Sequence, residues 1–173
     1  PLVKIKNKTI IDHIIEHLYK SGLKDFLICS GYKSNMLSRH FNTYKSVNAK
    51  IVNSGTVDIL QRILDCKSMI GNEFMVCYGD TIADVNIEKL YTFHKSHSGI
   101  ATVCSYHLKQ NFGIIKKNDE NLVVSFNEKP KYPGSINIGY FIFDKQIFKP
   151  AQTVNNWLDL INILIKQKQL FSF

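Results

Sequence analysis

An α/β fold, with a mainly parallel mixed sheet flanked by helices, is the architecture expected of this chain. Three observations point to it. Strand-like and helix-like stretches alternate through the first hundred or so residues, which argues for right-handed βαβ crossovers. The apolar run Phe74-Met75-Val76-Cys77-Tyr78 reads as a buried strand and closes abruptly on Gly79-Asp80. Beyond Tyr106 the pattern changes to strands joined by short polar turns.

The elements follow in order. Ile10, Ile11, Ile14, Ile15 and Leu18 recur at helical spacing, with Asp12, His13, Glu16 and Lys20 between them, and Gly22 supplies a stop. Phe26 to Cys29 is a short strand closed by Ser30-Gly31. A helix is expected from Ser34 to Phe41, a strand from Ala49 to Val52, a loop at Ser54-Gly55 and a helix from Ile59 to Cys66. Asn86 can cap a helix running to about Lys95. Strands are expected at Ile100–Ser105, Phe112–Ile115, Leu122–Phe126 and Ile136–Phe143. A last amphipathic helix runs from about Asn155 to Lys168, with Trp157, Leu158, Ile161, Leu164 and Ile165 on its apolar side. No repeat, low-complexity tract or linker breaks the chain, so residues 1–173 read as one domain.

Composition narrows the function classes. Hydrophobic residues make up 45% and charged residues 21% of the 173, ordinary values for a globular domain with a substantial core. No apolar run is long enough to span a bilayer, and no leader pattern is present. The net charge of +8 would attract phosphate-bearing partners. Yet the excess is scattered lysine, with only Arg39 and Arg62 as arginines, which argues against a nucleic-acid binder. Cys29, Cys66, Cys77 and Cys104 show no zinc spacing, and free thiols in a reducing compartment, the cytoplasm, are expected.

Three segments could carry chemistry. Asp80, at a strand end, suits magnesium, a hard cation that takes one or two carboxylates and fills the rest of its shell with phosphate and water oxygens. Gly79 would let a ligand approach the backbone, although Gly-Asp is also an ordinary turn. Asp84 follows at D-x-x-x-D spacing, and a turn into the next helix is its plainer reading. In Phe126-Asn127-Glu128-Lys129-Pro130, the glutamate can accept hydrogen bonds from sugar hydroxyls and the lysine can meet a phosphate. Pro130 biases Lys129 towards extended backbone; a charged turn is the plainer reading. In Ile136-Asn137-Ile138-Gly139, a lone amide and a glycine interrupt an apolar run, marking either a site or a bulge.

The ordered set Tyr78-Gly79-Asp80, Phe112-Gly113, Glu128-Lys129-Pro130 and Asn137-x-Gly139 resembles the sugar-1-phosphate nucleotidylyltransferases, most nearly the glucose-1-phosphate cytidylyltransferases. Lys8 to His13, Phe26 to Lys33, Asp84 to Ile87 and Phe93 to His97 extend the likeness along nearly the whole chain. The resemblance implies a Rossmann-like nucleotidyltransferase domain. It also implies attack of a sugar-1-phosphate on the α-phosphate of a nucleoside triphosphate, with cytidine triphosphate favoured, magnesium as cofactor, and a role in nucleotide-sugar and polysaccharide synthesis. By resemblance Asp80 holds the metal, Glu128 and Asn137 meet sugar hydroxyls, Lys129 meets the sugar phosphate, and Gly79, Gly113 and Gly139 let backbone close on the ligand. Self-association is common in the family.

The likeness has gaps. The family's glycine-rich phosphate loop and catalytic arginine and lysine precede the segment matched by Pro1, and its second metal-binding aspartate follows the segment matched by Phe173. Residues 1–173 are therefore expected to be an incomplete domain, without assigned catalytic residues and with little activity alone. Where cytidylyltransferases carry T-G-G-R this chain has Ile59-Leu60-Gln61-Arg62, keeping Arg62, and Thr81 replaces the usual glycine after Gly-Asp. The competing expectation is a catalytically inactive relative that binds sugar phosphates or nucleotide-sugars.

Overall fold

The computed structural model describes all residues except 43, 45, 46 and 131–133. A small hairpin, β1 (Lys4–Ile5) and β2 (Lys8–Thr9), leads into α1 (Ile10–Lys20). Thr9 and Asp12 form a capping box at the start of α1, each side chain meeting the other's backbone N–H, and Gly22 turns the chain out at φ +93°. β3 (Asp25–Ser30), α2 (Ser34–Phe41) and β4 (Asn48–Asn53) form a crossover whose two strands pair in parallel.

α3 (Ile59–Asp65) then leads to β5 (Glu73–Cys77), α4 (Ile87–Lys95) and β6 (Ala101–Tyr106). The hairpin β7 (Ile114–Lys117) and β8 (Val123–Asn127) interrupts the alternation. β9 (Ile136–Asp144), the short α5 (Phe148–Ala151), α6 (Trp157–Lys166) and β10 (Leu170–Ser172) complete the chain. The main sheet has the order β10-β6-β9-β5. β10, β6 and β5 share one direction, and β9 is inserted antiparallel between β6 and β5.

The core explains why β9 reads as an unbroken apolar run. Tyr140 and Ile142 point to one face, with Met75 and Cys77 of β5, under Ile14 and Leu18 of α1 and Leu90 of α4. Phe141 and Phe143 point to the other face, with Phe74, Val76 and Tyr78, beneath α3, α5 and α6. Both faces are covered, so alternation gives way to continuous hydrophobicity. Trp157 of α6 meets Phe141 edge-on, ring centres 5.3 Å apart. α1 also turns Ile11 and Ile15 towards Ile28 and Phe41, so one helix packs against both the main sheet and the β3–β4 pair.

Candidate active site

The chain turns at the carboxyl end of β5 because Gly79 and Asp80 end the ladder: Cys77 pairs Tyr140, Tyr78 N–H reaches Gly139 O at 2.9 Å, and pairing then stops. Asp80 is exposed, and the Thr81 hydroxyl donates to its Oδ1 at 3.5 Å. Its oxygens thus keep lone pairs for a cation. The segment that follows is anchored. His17 Nε2–H donates to Val85 O at 2.8 Å, and Asn86 caps α4 by accepting from Lys89 N–H. The Tyr140 hydroxyl takes the Ala83 N–H; burial, then the neighbouring Cys77, pushes that phenol up to about 12. At Gly79 a Cβ would stand 3.5 Å from Pro1 Cγ, an ordinary contact, so packing does not demand glycine there.

Gly139 is different. It sits at φ +77°, and a Cβ there would come within 2.7 Å of the Tyr78 ring. The pairing of β6 with β9 slips between Val103 and Ser105, with Phe141 opposite Val103 and Asn137 opposite Ser105. The interruption read from the sequence is thus a bulge in β9. Asn137 Oδ1 accepts the Gly139 N–H at 2.8 Å, so the amide oxygen shapes the bulge and the amide N–H groups remain for other partners.

The hairpin β7–β8 leaves from this same end of the sheet, between the end of β6 and the start of β9. It brings two expected site residues together: a Cβ at Gly113 would lie 3.0 Å from Glu128 Oε2 and 2.9 Å from Phe126 Cζ. Lys129 departs from expectation. It is not extended but left-handed, at φ +44°. Proline favours extended backbone in the residue before it, and the left-handed region costs a residue with a Cβ about 1–2 kcal/mol.

Arg62 lies at the ends of β3 and β4. Its Nε donates to Val57 O at 3.3 Å and Nη2 to Gly55 O at 3.4 Å. Gly31 fits beneath, where a Cβ would stand 2.1 Å from Gly55 O. The guanidinium therefore clamps the loop between β4 and α3. Asp58, not singled out from sequence, ties this loop to the far end of the chain: its Oδ1 caps α3 through Leu60 N–H and also accepts Trp157 N–H, both at 2.8 Å. No local pattern could have signalled that second bond.

The donors at Asp80 fit magnesium held chiefly by phosphate and water oxygens. A richer ligand group lies elsewhere: among the described residues Glu73, His94 and Asp144 are the three that could jointly hold a metal. They sit where β5 begins and β9 ends, separated from Asp80 by the length of β5, roughly 13 Å or more.

Comparison with known proteins bears on this geometry. The family model for nucleotidyl transferases matches residues 1–166. Glucose-1-phosphate cytidylyltransferase of Salmonella typhimurium is 30% identical over 175 residues, covering 85% of this chain and 67% of the relative. Mannose-1-phosphate guanylyltransferase catalytic subunit beta of Dictyostelium discoideum is 32% identical over 164 residues, covering 88% of this chain and 45% of its own length. The crystal structure of HddC from Yersinia pseudotuberculosis superposes with a TM-score of 0.72 at 20% identity, over all of this chain and 79% of that one, a likeness of fold.

Proposed function

This chain belongs to the nucleotidyl transferase family, and from that premise we propose that it binds a nucleoside triphosphate and a sugar-1-phosphate at the carboxyl end of β5 and serves nucleotidyl transfer between them. One observation carries the reading. Exposed Asp80, the Asn137–Gly139 bulge and the paired Gly113 and Glu128 all gather at one end of the sheet. Strand carboxyl ends are where open α/β sheets take their ligands.

In the reaction, a phosphate oxygen of the sugar-1-phosphate forms a bond to the α-phosphorus. The bond from that phosphorus to the oxygen bridging to the β-phosphorus breaks, and pyrophosphate leaves. Such chemistry depends on positioning and charge neutralisation. Magnesium held at Asp80 would neutralise phosphate charge. Glu128 accepts hydrogen bonds from sugar hydroxyls, and the Asn137 amide donates one, its oxygen being held by Gly139 N–H. Lys129 meets the sugar phosphate as a point charge. Arg62 shapes the loop that faces the base. Cytidine triphosphate and glucose-1-phosphate are the favoured pair, supported by likeness to a cytidylyltransferase, while the guanylyltransferase relative makes other bases and sugars the natural controls.

Turnover by residues 1–173 alone is proposed to be low, since they include no glycine-rich loop to cradle a triphosphate. The cytoplasm is the proposed compartment, a reading that rests on four cysteines without zinc spacing taken as free thiols. Among the described residues no helix is long and apolar enough to cross a membrane.

Thermal unfolding with magnesium tests the binding reading. A ligand at a hundred times its Kd adds about 2.7 kcal/mol, a rise of roughly 5–10 °C for a chain of this size. Asp80→Asn should remove the rise with nucleotide, and Glu128→Gln the rise with sugar phosphate. If no pairing of nucleotide and sugar phosphate stabilises the protein, the reading fails. Rapid pyrophosphate release by residues 1–173 would overturn only the proposal of low turnover.

A further inference from the structure

At the end of the sheet opposite Asp80, antiparallel pairing sets Glu73 of β5 against Asp144 of β9. α4 brings His94 to the same place. One ligand atom from each of the three lies within 4.8 Å of the others. The His94 side chain is only 2% exposed, whereas Asp144 and Glu73 are 28% and 26% exposed. One buried imidazole and two carboxylates open to solvent thus face a common point. We propose that Glu73, His94 and Asp144 form a binding site for a divalent transition cation of the zinc type, separate from the site at Asp80.

The ligand chemistry suits such an ion, which takes one imidazole nitrogen and carboxylate oxygens and completes its shell with water. The imidazole is already oriented from behind. His94 Nδ1 is 2.7 Å from Oγ1 of Thr102, a fully buried residue. Metal-ligating histidines donate their second ring N–H to an acceptor, a role open to the Thr102 oxygen once its own hydroxyl hydrogen turns away.

The hydrogen-bond network defines how the site changes on binding. Gly99 N–H donates to His97 Nδ1, so the His97 proton sits on Nε2 and is donated to Thr102 Oγ1 at 2.8 Å. The Thr102 hydroxyl hydrogen then turns to His94 Nδ1, and His94 Nε2–H faces Asp144 Oδ1 at 3.6 Å. When a cation takes the Nε2 lone pair, the imidazole proton resides on Nδ1 and is donated to the second lone pair of Thr102, whose hydroxyl hydrogen must turn away from His94.

The present occupant of the carboxylate rim is Lys95, which pairs with Glu73 Oε1, while the Tyr91 hydroxyl donates to Oε2 at 2.8 Å. Lys95 is 53% exposed and can swing into solvent. Cation and lysine therefore compete for one carboxylate, and removing the lysine side-chain charge strengthens the site.

The experiment titrates untagged protein with cobalt(II) alone, followed by visible absorption, and then displaces it with zinc. One cobalt per chain is expected. Asp144→Asn and Glu73→Gln should each weaken binding at least tenfold, Lys95→Gln should tighten it several-fold, and Asp80→Asn should leave it unchanged. Loss of fold cannot produce tightening, so the Lys95 variant separates ligation from structural damage. Absence of saturable binding at millimolar cobalt, or an affinity indifferent to the Glu73, Asp144 and Lys95 changes, overturns the proposal.

Discussion

Adding one methyl group at Gly139 is expected to cost about 2–4 kcal/mol of stability. Two contributions enter. The residue sits at φ +77°, where a Cβ crowds its own backbone by about 1–2 kcal/mol. The new Cβ would also lie 2.7, 2.8 and 2.9 Å from Cδ2, Cγ and Cβ of Tyr78. Tyr78 has little room to yield, because its ring packs on Phe141 in the core and its N–H bonds Gly139 O. Overpacking of that kind adds roughly 1–3 kcal/mol, not fully additive with the backbone strain. For a chain of this size Gly139→Ala should lower the Tm by about 5–15 °C. Urea unfolding in two backgrounds separates the parts. With Tyr78→Ala already present, the Cδ2 and Cγ contacts are gone and the 2.9 Å Cβ contact remains, so the same glycine change should cost about 1 kcal/mol less. A cost under about 0.5 kcal/mol in the parent, or an equal cost in both backgrounds, would refute the account of the bulge.

Three further outcomes are expected. Asp58→Ala removes the α3 cap together with the bond to Trp157 N–H and should cost about 2 kcal/mol, whereas Asp58→Asn, which keeps an acceptor, should stay near the parent in denaturant unfolding. Burial by itself would raise the Asp12 carboxyl, but hydrogen bonds from Thr9 and His40 outweigh it and hold the group at about 2 against an ordinary 3.8. A depressed carboxyl contributes stability above its unfolded value, so about 1–2 kcal/mol should be lost as pH falls from about 4 to 2, and urea unfolding of Asp12→Asn should lack that step. Gly113→Ala should displace the Glu128 carboxylate and weaken sugar-phosphate binding several-fold by calorimetry, with little change in Tm because the hairpin is exposed.

Local signals account for what could be read in advance. α1 announces itself by a capping box, an apolar stripe and a terminal glycine, all within one stretch of chain. β5 and β9 are legible because burial on both faces leaves no polar positions between Phe74 and Cys77 or between Tyr140 and Phe143. The short β10 was not expected: its three residues become a strand only by lying beside β6, with Leu170 opposite Ala101. The extended backbone expected at Lys129 followed a sound local rule, which the left-handed conformation it adopts does not obey.

The candidate site divides along the same line. Residue type and order were enough to mark Asp80, Glu128, Asn137 and Gly139 as candidates, because polar groups and glycines that interrupt or end apolar runs are local facts, whereas Gly113 entered only through the family resemblance. Which of their hydrogen bonds are already committed depends on strand register and on residues far away in the chain. The slip between β6 and β9 turns the Asn137 oxygen onto Gly139, the Gly55 and Val57 carbonyls occupy Arg62, and the pairing of β5 with β9 sets Glu73 beside Asp144 under His94. Hydrophobic periodicity places elements, but a polar atom's partners are decided by whichever distant backbone or side chain the packing delivers to it.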